Sequence, residues 1–417
     1  MSKRNKITFL AAITGNILEY YDFTVYGIFS VSMAALFFPS ESKTLSLILT
    51  LMGFSIGFIT RPIGGIILGY IGDNFGRRVS LLVSALGMSL STIGIGILPS
   101  YQCLGVLSPI LLVIFRLIQG IVLSGEGTGT AIFLLEHFAK KKMGLITGIV
   151  QCCNIIGSLL AGLVCLLLNK LLGNNEYNWR IAFLIGGFCS FFSLCLRMYV
   201  SETPVFIELQ KSKSKKSKFL EIIRCSWRQM IICFFVAGAA SSILQFIKCY
   251  LKIYLVNLGI YENMAVKCIN YSFLIVMFFM VIFAHLSDRL GKVKILNLSA
   301  MLIFLLIVPI FYLFLNSKDF NIVFIVIPVG LLAGAICGSA YIFVISIFRP
   351  ENRFLGVSFS YNLGVAVFGG TSPMICNFLI CSTGIMCIPA FYISFTSLLL
   401  LLAMKIMKKD IEKNLSG

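Results

Sequence analysis

Residues 15–23 read GNILEYYDF between two apolar stretches, ITFLAAIT before and TVYGIFSVSMAALFF after. Glu19 and Asp22 are three residues apart, so on a helix they share one face. An ionisable side chain at the centre of a membrane helix costs roughly 2.5–3.5 kcal/mol even on the lenient insertion scale. Two of them together imply a task, and the chemistry open to carboxylates there is reversible proton binding. A third acid, Glu126, lies in SGEGTGTA (124–131). Small residues let helices approach closely, and a carboxyl group among them is partly desolvated, which suits it to exchange a proton near neutral pH. Asp22 and Glu126, with Glu19 beside them, are the candidate proton carriers.

Arg116 is the complementary group. It stays charged at any working pH, and its planar fork can hold a carboxylate through two parallel hydrogen bonds. Gln119, three residues on, joins it as a candidate solute ligand. Tyr20 and Tyr26, with Tyr21 and Phe23, surround the acids, and their faces could cage a quaternary ammonium; ordinary packing is the competing reading for each ring. In the second half of the chain, Asn362 lies in YNLGVAVFGGTSP (361–373). There Tyr361, Gly369, Gly370 and Pro373 could weaken a helix locally and offer carbonyls or an amide to a ligand. Lys248 and Lys252 share a helix face and read as snorkelling side chains. His285 reads as a loop-boundary residue.

A second set of charges repeats. Gly69-Tyr-Ile-Gly-Asp73-Asn-Phe-Gly76-Arg77-Arg78 and Ala284-His-Leu-Ser-Asp288-Arg289-Leu-Gly291-Lys292 share the pattern Asp-x-x-Gly-basic, and Asp73 and Asp288 stand 215 residues apart, as do Gly76 and Gly291. Glu136 and Glu351 obey the same offset. Glycine permits a tight turn, and an Asp near a helix end can meet a basic group or a helix N-terminus. The set reads as a gate latch on the cytoplasmic side, with plain loop topology as the alternative. Glu19, Asp22, Arg116 and Glu126 map instead to Phe234, Ala237, Leu331 and Tyr341. The repeat does not require these four, which favours a specific task.

The elements that must hold these groups are membrane helices. Of 417 residues, 59% are hydrophobic and 12% charged, against roughly 25% charged in a soluble domain. The net charge of +18 does not point to nucleic acid, because Lys and Arg fall between apolar spans rather than in one patch. The 14 cysteines lie mostly within those spans and read as small apolar fillers, not as a disulfide frame or metal site. Apolar stretches of about 20 residues predict twelve helices, near 8–35, 45–70, 79–98, 106–134, 143–168, 181–200, 229–256, 265–286, 294–315, 321–347, 355–379 and 383–405. Residues 201–228 form a polar link, with five Lys within 211–218, between an N-terminal six-helix half (1–200) and a C-terminal one (229–417). With the N-terminus inside, 25 Lys and Arg fall on the inner side, five outside and four within spans, so both termini are expected in the cytoplasm. The basic start followed by an apolar run resembles a signal peptide, but no small-residue cleavage site comes before Glu19, so an uncleaved first helix is expected. At about 1.5 Å per residue, Glu19 and Asp22 lie roughly 15–20 Å into a helix starting near residue 8, and Arg116 lies about 15 Å in from the other side. Both are near the midplane, where solute and coupling-ion sites of repeat-built transporters sit. The competing reading is a buried ion pair that ties helices one and four together.

The first loop motif resembles the signature of the major facilitator superfamily. GNILEYYDF, RPIGG (61–65), RLIQGIVLSGEGTG (116–129), NWRIAF (178–183), ETPVF (202–206) and YNLGVAVFGGTSP together resemble the metabolite:proton symporters, the group of proline/betaine, α-ketoglutarate, citrate and shikimate transporters. The likeness runs over nearly the whole chain and is greatest to the proline/betaine type. Two departures stand out: Asn74 replaces the usual basic residue of the first loop, and the sequence ends at Gly417 with no long C-terminal coiled coil. These bear on osmotic regulation, not on transport. The resemblance implies an all-α membrane protein with the major facilitator fold, twelve transmembrane helices in two six-helix halves. Helix five has Gly144, Gly148, Gly157 and Gly162 but no proline; without the Gly-Pro signature of many drug antiporters, uptake by symport is expected.

The expected protein is thus a monomeric, multi-pass transporter of a bacterial inner membrane that couples a proton to a small carboxylate-bearing solute, without a cofactor. A zwitterion such as proline or betaine is the first expectation and a di- or tricarboxylate the second. A non-transporting sensor on the same fold is the alternative of another class, marked by a long signalling tail. A channel would need a filter-like loop, and an enzyme a metal, nucleotide or nucleophile constellation.

Overall fold

The computed structural model describes residues 3–39, 57–138, 143–173, 175, 177–211, 219–317 and 323–408. All regular structure among them is helical. The long helices are α1 (Lys3–Phe37), α2 (Arg61–Asn74), α3 (Arg77–Ile97), α4 (Leu107–Phe138), α5 (Met143–Leu172) and α6 (Asn178–Met198). In the second half, α7 comprises Phe219–Gln245, a π-helical turn Phe246–Tyr250 and Leu251–Asn257; α8 is Glu262–Leu290, α9 Lys292–Leu315 and α10 Val323–Ile347. Finally, α11 comprises Arg353–Gly364, a π-helical turn Val365–Gly370 and Ser372–Thr383, and α12 is Ile388–Ile406. Ten of them, α3 to α12, are long and apolar enough to cross a membrane. The other two are α1, which carries the acids, and α2, whose predicted start lies outside the described residues.

Three boundaries differ from expectation. α1 begins at Lys3, ahead of the apolar run, because Lys and Arg are good helix formers and nothing before residue 8 breaks the helix. The link is helical at both ends, with a short helix Pro204–Lys211 and α7 starting at Phe219. Residues 212–218, with four of the five link lysines, lie outside the described residues, as do Lys43 and Lys140 to Lys142.

The chain divides into two compact units, residues 1–137 with 153–219, and residues 138–152 with 220–417. The division falls inside α5, after Cys152. In the first unit Tyr26, Met33, Phe37, Leu112, Trp179 and Phe183 form one buried cluster. Small residues set the helix spacing in both units. A Cβ added at Gly64 of α2 would lie 2.1 Å from the Ile121 carbonyl of α4. In the second unit, a Cβ at Gly334 of α10 would lie 2.8 Å from Val276 O and Phe279 Cβ of α8.

Gly334→Ala therefore forces backbone against backbone, and overpacking of this kind costs about 1–3 kcal/mol. Gly162→Ala on α5 meets nothing within 4 Å and gains helix propensity of about 0.5–1 kcal/mol. Thermal unfolding of the two variants in detergent should shift in opposite directions from the parent, downward for Gly334→Ala.

Candidate functional site

The opening motif lies on α1 and sends successive polar groups into the first unit. Asn16 is fully buried and donates to Asn154 Oδ1 of α5 at 2.7 Å. Glu19 (3% exposed) lines a small, largely apolar chamber with Ser84, Met88, Val122, Glu126 and Arg197. Asp22 is 1% exposed, and its Oδ2 accepts from Gln119 Nε2 of α4 at 2.5 Å. Gln119 also donates to Thr92 Oγ1 of α3 at 3.0 Å. One turn on, Tyr26 lies under the Arg116 guanidinium, whose carbon is 3.5 Å from the ring centroid, with Phe183 of α6 at 5.7 Å.

The structure brings Asp22, Arg116, Gln119 and Tyr26 together. Arg116 and Asp22 attract each other electrostatically without forming an ion pair. Several polar atoms here are buried with no hydrogen-bond partner: Nε and Nη2 of Arg116, Oδ1 of Asp22 and Oε1 of Gln119. Such atoms each cost on the order of 1–3 kcal/mol when left unmade. Their convergence marks a place where a bound group would find both donors and acceptors.

Two expectations need correction. Glu126, expected with Asp22 as a proton carrier, does not join the Asp22–Arg116 cluster. It pairs with Arg197, whose Nη1 donates to Glu126 Oε2 at 2.9 Å and whose Nη2 reaches Oε1. Arg197 is 3% exposed inside α6, whereas its position near the polar link places it among the inner-loop cations. Tyr26 is the second correction, since the ring expected to cage an ammonium already carries the Arg116 guanidinium. The missing cation had a signal: three acids in the apolar helices of the first half against Arg61 and Arg116 leave a charge imbalance that a low-dielectric interior does not tolerate. Arg61 of α2 is another buried arginine, stacked 4.3 Å from the Phe58 centroid and 5.3 Å from that of Phe23. Tyr20 is half-buried.

The loop set forms a separate network in the first unit. Arg77 is fully buried and bridges Asp73 Oδ1 at 3.3 Å and Glu136 Oε2 at 3.2 Å, and its Nη1 donates to Gly72 O at 2.8 Å. The ETPVF stretch, whose role sequence reasoning missed, closes over it. Thr203 Oγ1 donates to Glu136 Oε2 at 2.7 Å, Glu202 Oε2 accepts from the Arg78 amide at 3.0 Å, and Phe206 lies 5.3 Å from the Arg77 guanidinium. Gly76 has φ +119°, and a Cβ there would lie 2.3 Å from Glu202 Oε2, so glycine serves both the turn and the close approach. In the second unit Asp288 accepts from the amides of Gly144 at 2.7 Å and Leu145 at 3.2 Å. It caps the N-terminus of α5, where the helix dipole favours a carboxylate. Gly291 turns the chain at φ +99°, Arg289 is exposed and Glu351 is half-buried.

The remaining motifs make contacts within their own units. Asn178 donates to Asn169 Oδ1 and Gly173 O, and Arg180 to Leu98 O at 2.6 Å. Asn362 is buried and donates to Ser358 O of its own helix at 2.7 Å. The predicted weakness of α11 takes the form of the π-helical turn Val365–Gly370, where Tyr392 of α12 donates to Phe368 O at 2.9 Å. Lys248 lies in the π-helical turn of α7, which no residue pattern announced.

A multi-pass helical bundle with charged side chains buried inside its first unit is the architecture of a membrane transporter. The chain belongs to the Major Facilitator Superfamily, whose family model matches residues 13–373. It is similar to the glycine betaine/proline/ectoine/pipecolic acid transporter OusA of Dickeya dadantii and to the proline/betaine transporter of Escherichia coli, each 29% identical over 426 residues, covering 98% of this chain and 84% of the relative. A putative proline/betaine transporter of Staphylococcus aureus is 29% identical over 412 residues, covering 95% of this chain and 87% of that one. Among solved structures, the proton:xylose symporter XylE bound to 6-bromo-6-deoxy-D-glucose superposes with a TM-score of 0.81 at 17% identity, covering 97% of this chain and 96% of that one. That likeness shows the fold.

Arg77→Met should leave Asp73 and Glu136 buried without their cation, a loss of about 3–5 kcal/mol for a broken buried pair. Thr203→Val, which removes one hydrogen bond to Glu136, should cost about 1 kcal/mol. Thermal unfolding in detergent should rank the parent above Thr203→Val and Thr203→Val above Arg77→Met.

Proposed function

We propose that this chain is a proton-coupled symporter that takes up a small carboxylate-bearing solute by alternating access, with a proline- or betaine-like zwitterion as its substrate class. The observation that supports it most is the set of unfilled hydrogen-bonding atoms on Arg116, Asp22 and Gln119. A solute carboxylate fills the two open N–H groups of Arg116, and a proton on Asp22 turns an unpartnered acceptor into a donor. Proton and solute each satisfy part of the same buried cluster, so both together favour the loaded state over either alone. The names of the relatives agree with this class of solute. A dicarboxylate is the second reading, and the further buried guanidinium of Arg61 favours it.

Asp22 is the proposed proton carrier, with Glu19, one turn away on the same helix, on its path. The Asp73–Arg77–Glu136 network of the first compact unit and the Asp288 cap on α5 of the second are proposed to latch the cytoplasmic side. The halves are residues 1–200 and 229–417, joined by the link 201–228. Both termini lie in the cytoplasm, in a bacterial inner membrane, and the working unit is a monomer. It acts as a transporter and not as an enzyme.

Uptake of radiolabelled proline, betaine, 2-oxoglutarate and citrate into proteoliposomes, with and without an imposed proton gradient, tests the reading. Gradient-driven accumulation of one of the first two supports it, and accumulation of none of the four removes it. Asp22→Asn should abolish gradient-driven accumulation while solute exchange survives; normal accumulation would move the proton elsewhere.

Arg116→Lys keeps the charge but loses the fork, so the apparent affinity for the carboxylate solute should fall at least about tenfold, roughly 1.4 kcal/mol. An amide analogue, with no carboxylate to lose, should be affected far less. Unchanged affinity in equilibrium binding would make Arg116 structural and turn attention to Lys248.

A further inference from the structure

Arg197 uses every N–H it has. Nε donates to Ala11 O at 3.1 Å, Nη1 to Leu81 O at 3.0 Å and Glu126 Oε2 at 2.9 Å, and Nη2 to Ala12 O at 3.2 Å and to Glu126 Oε1. Glu126 Oε2 also accepts from Ser84 Oγ at 3.1 Å. One ion pair thereby joins α1, α3, α4 and α6. Gly15, the first residue of the acidic motif, leaves the room for it: a Cβ there would lie 1.9 Å from Arg197 Nη2 and 2.5 Å from Glu126 Oε1.

Protonating Glu126 would strand the Arg197 charge in a closed, buried setting and break into hydrogen bonds that are already made. Such a carboxylate is poorly placed to shuttle a proton in each cycle. Its position suits another role. The tie grips α1 at Ala11 and Ala12, two to three turns before Asp22, and grips α4 at Glu126, two turns after Gln119. It sets the register in which Asp22 meets Gln119 and Tyr26 meets Arg116.

We infer that Arg197 and Glu126 form a fixed ion-paired tie, with Arg197 a positioning residue for the Asp22–Arg116 site and Glu126 its counter-charge rather than a proton carrier. This rests on the transport reading above. The charged and titratable groups near Asp22 are Arg116 on α4 and Glu19, Tyr21 and Tyr26 on α1, and the tie acts on them only by placing their helices.

The test compares Glu126→Gln, Arg197→Gln, the double variant and Arg197→Lys in the full chain. The measurements are thermal unfolding in detergent, and labelled proline accumulation and exchange in proteoliposomes over a pH series. Each single neutral variant leaves one buried charge alone and should unfold at a lower temperature than the double variant, which removes both charges. The double variant, which also loses the carbonyl ties, should still accumulate proline on a proton gradient, no faster than Arg197→Lys. Arg197→Lys keeps the pair but loses the carbonyl ties; it should accumulate on the order of tenfold more slowly, as expected for a misplaced site, with a shifted pH midpoint. A double variant that folds and exchanges solute but cannot accumulate it makes Glu126 a carrier and overturns the inference. So does an Arg197→Lys protein with the parent's rate and pH profile, and this variant decides the matter if the double variant does not fold. A parent chain that accumulates no labelled proline removes the zwitterion reading instead, while unfolding of single variants no earlier than the double variant removes the tie.

Discussion

A guanidinium buried in an apolar bundle must have its charge and its five N–H groups satisfied by the protein itself, because little water is at hand to do it. The first unit solves this problem in different ways. Arg77 takes two carboxylates and a carbonyl. Arg197 takes one carboxylate and three carbonyls and is complete. Arg116 lies on an aromatic face and keeps two buried N–H groups open. A complete arginine organises structure, whereas an incomplete one retains binding capacity. The distinction sets Arg77 and Arg197 apart from Arg116 within the first unit.

Glycine is the backbone side of the same constraint. Charged groups become buried and paired only where helices come close enough to shield them, and the chain provides that closeness at the charges themselves. Gly15 makes room for the Arg197–Glu126 pair and Gly76 for Glu202 against the first loop. Gly144, whose added Cβ would lie 2.1 Å from Ala284 O, lets α8 approach the end of α5 that Asp288 caps. Small residues and ionisable ones therefore recur together along the sequence, as in GNILEYYDF and SGEGTG.

Much of the fold was legible because hydropathy and the repeat are one-dimensional signals. A span of about 20 apolar residues has few alternatives in a membrane, and the 215-residue offset is read by counting. Asp22, Arg116 and Gln119 were legible for a related reason: a polar residue costs so much at that depth that its presence is information. What the sequence hid depends on three-dimensional pairing. Arg197 sits at the end of an apolar run beside a basic link, so its loop-like neighbours masked a buried side chain. Glu202 and Thr203 close over Arg77 from more than a hundred residues away, a distance no local pattern spans. The π-helical turn of α7 lies in a run with neither glycine nor proline, and only its packing reveals it.

The two halves share a scaffold but not a charge pattern, and this asymmetry is where the repeat becomes a machine. Phe234, at the position equivalent to Glu19, packs against Phe368, and Tyr341, equivalent to Glu126, packs against Tyr361. Aromatic contacts in the second unit thus stand where the first unit holds ions. Among the described residues the second unit instead departs from regular helix at the Ser226 kink and at the π-helical turns of α7 and α11; π-helical turns occur often at functional sites. A duplicated bundle with identical halves would bind charge equally on both sides and gain nothing from moving one against the other. Among the described residues the buried ion pairs belong to the first unit and the π-helical turns to the second, so the two copies of one scaffold keep different physical means: fixed charge in one, locally weakened helices in the other.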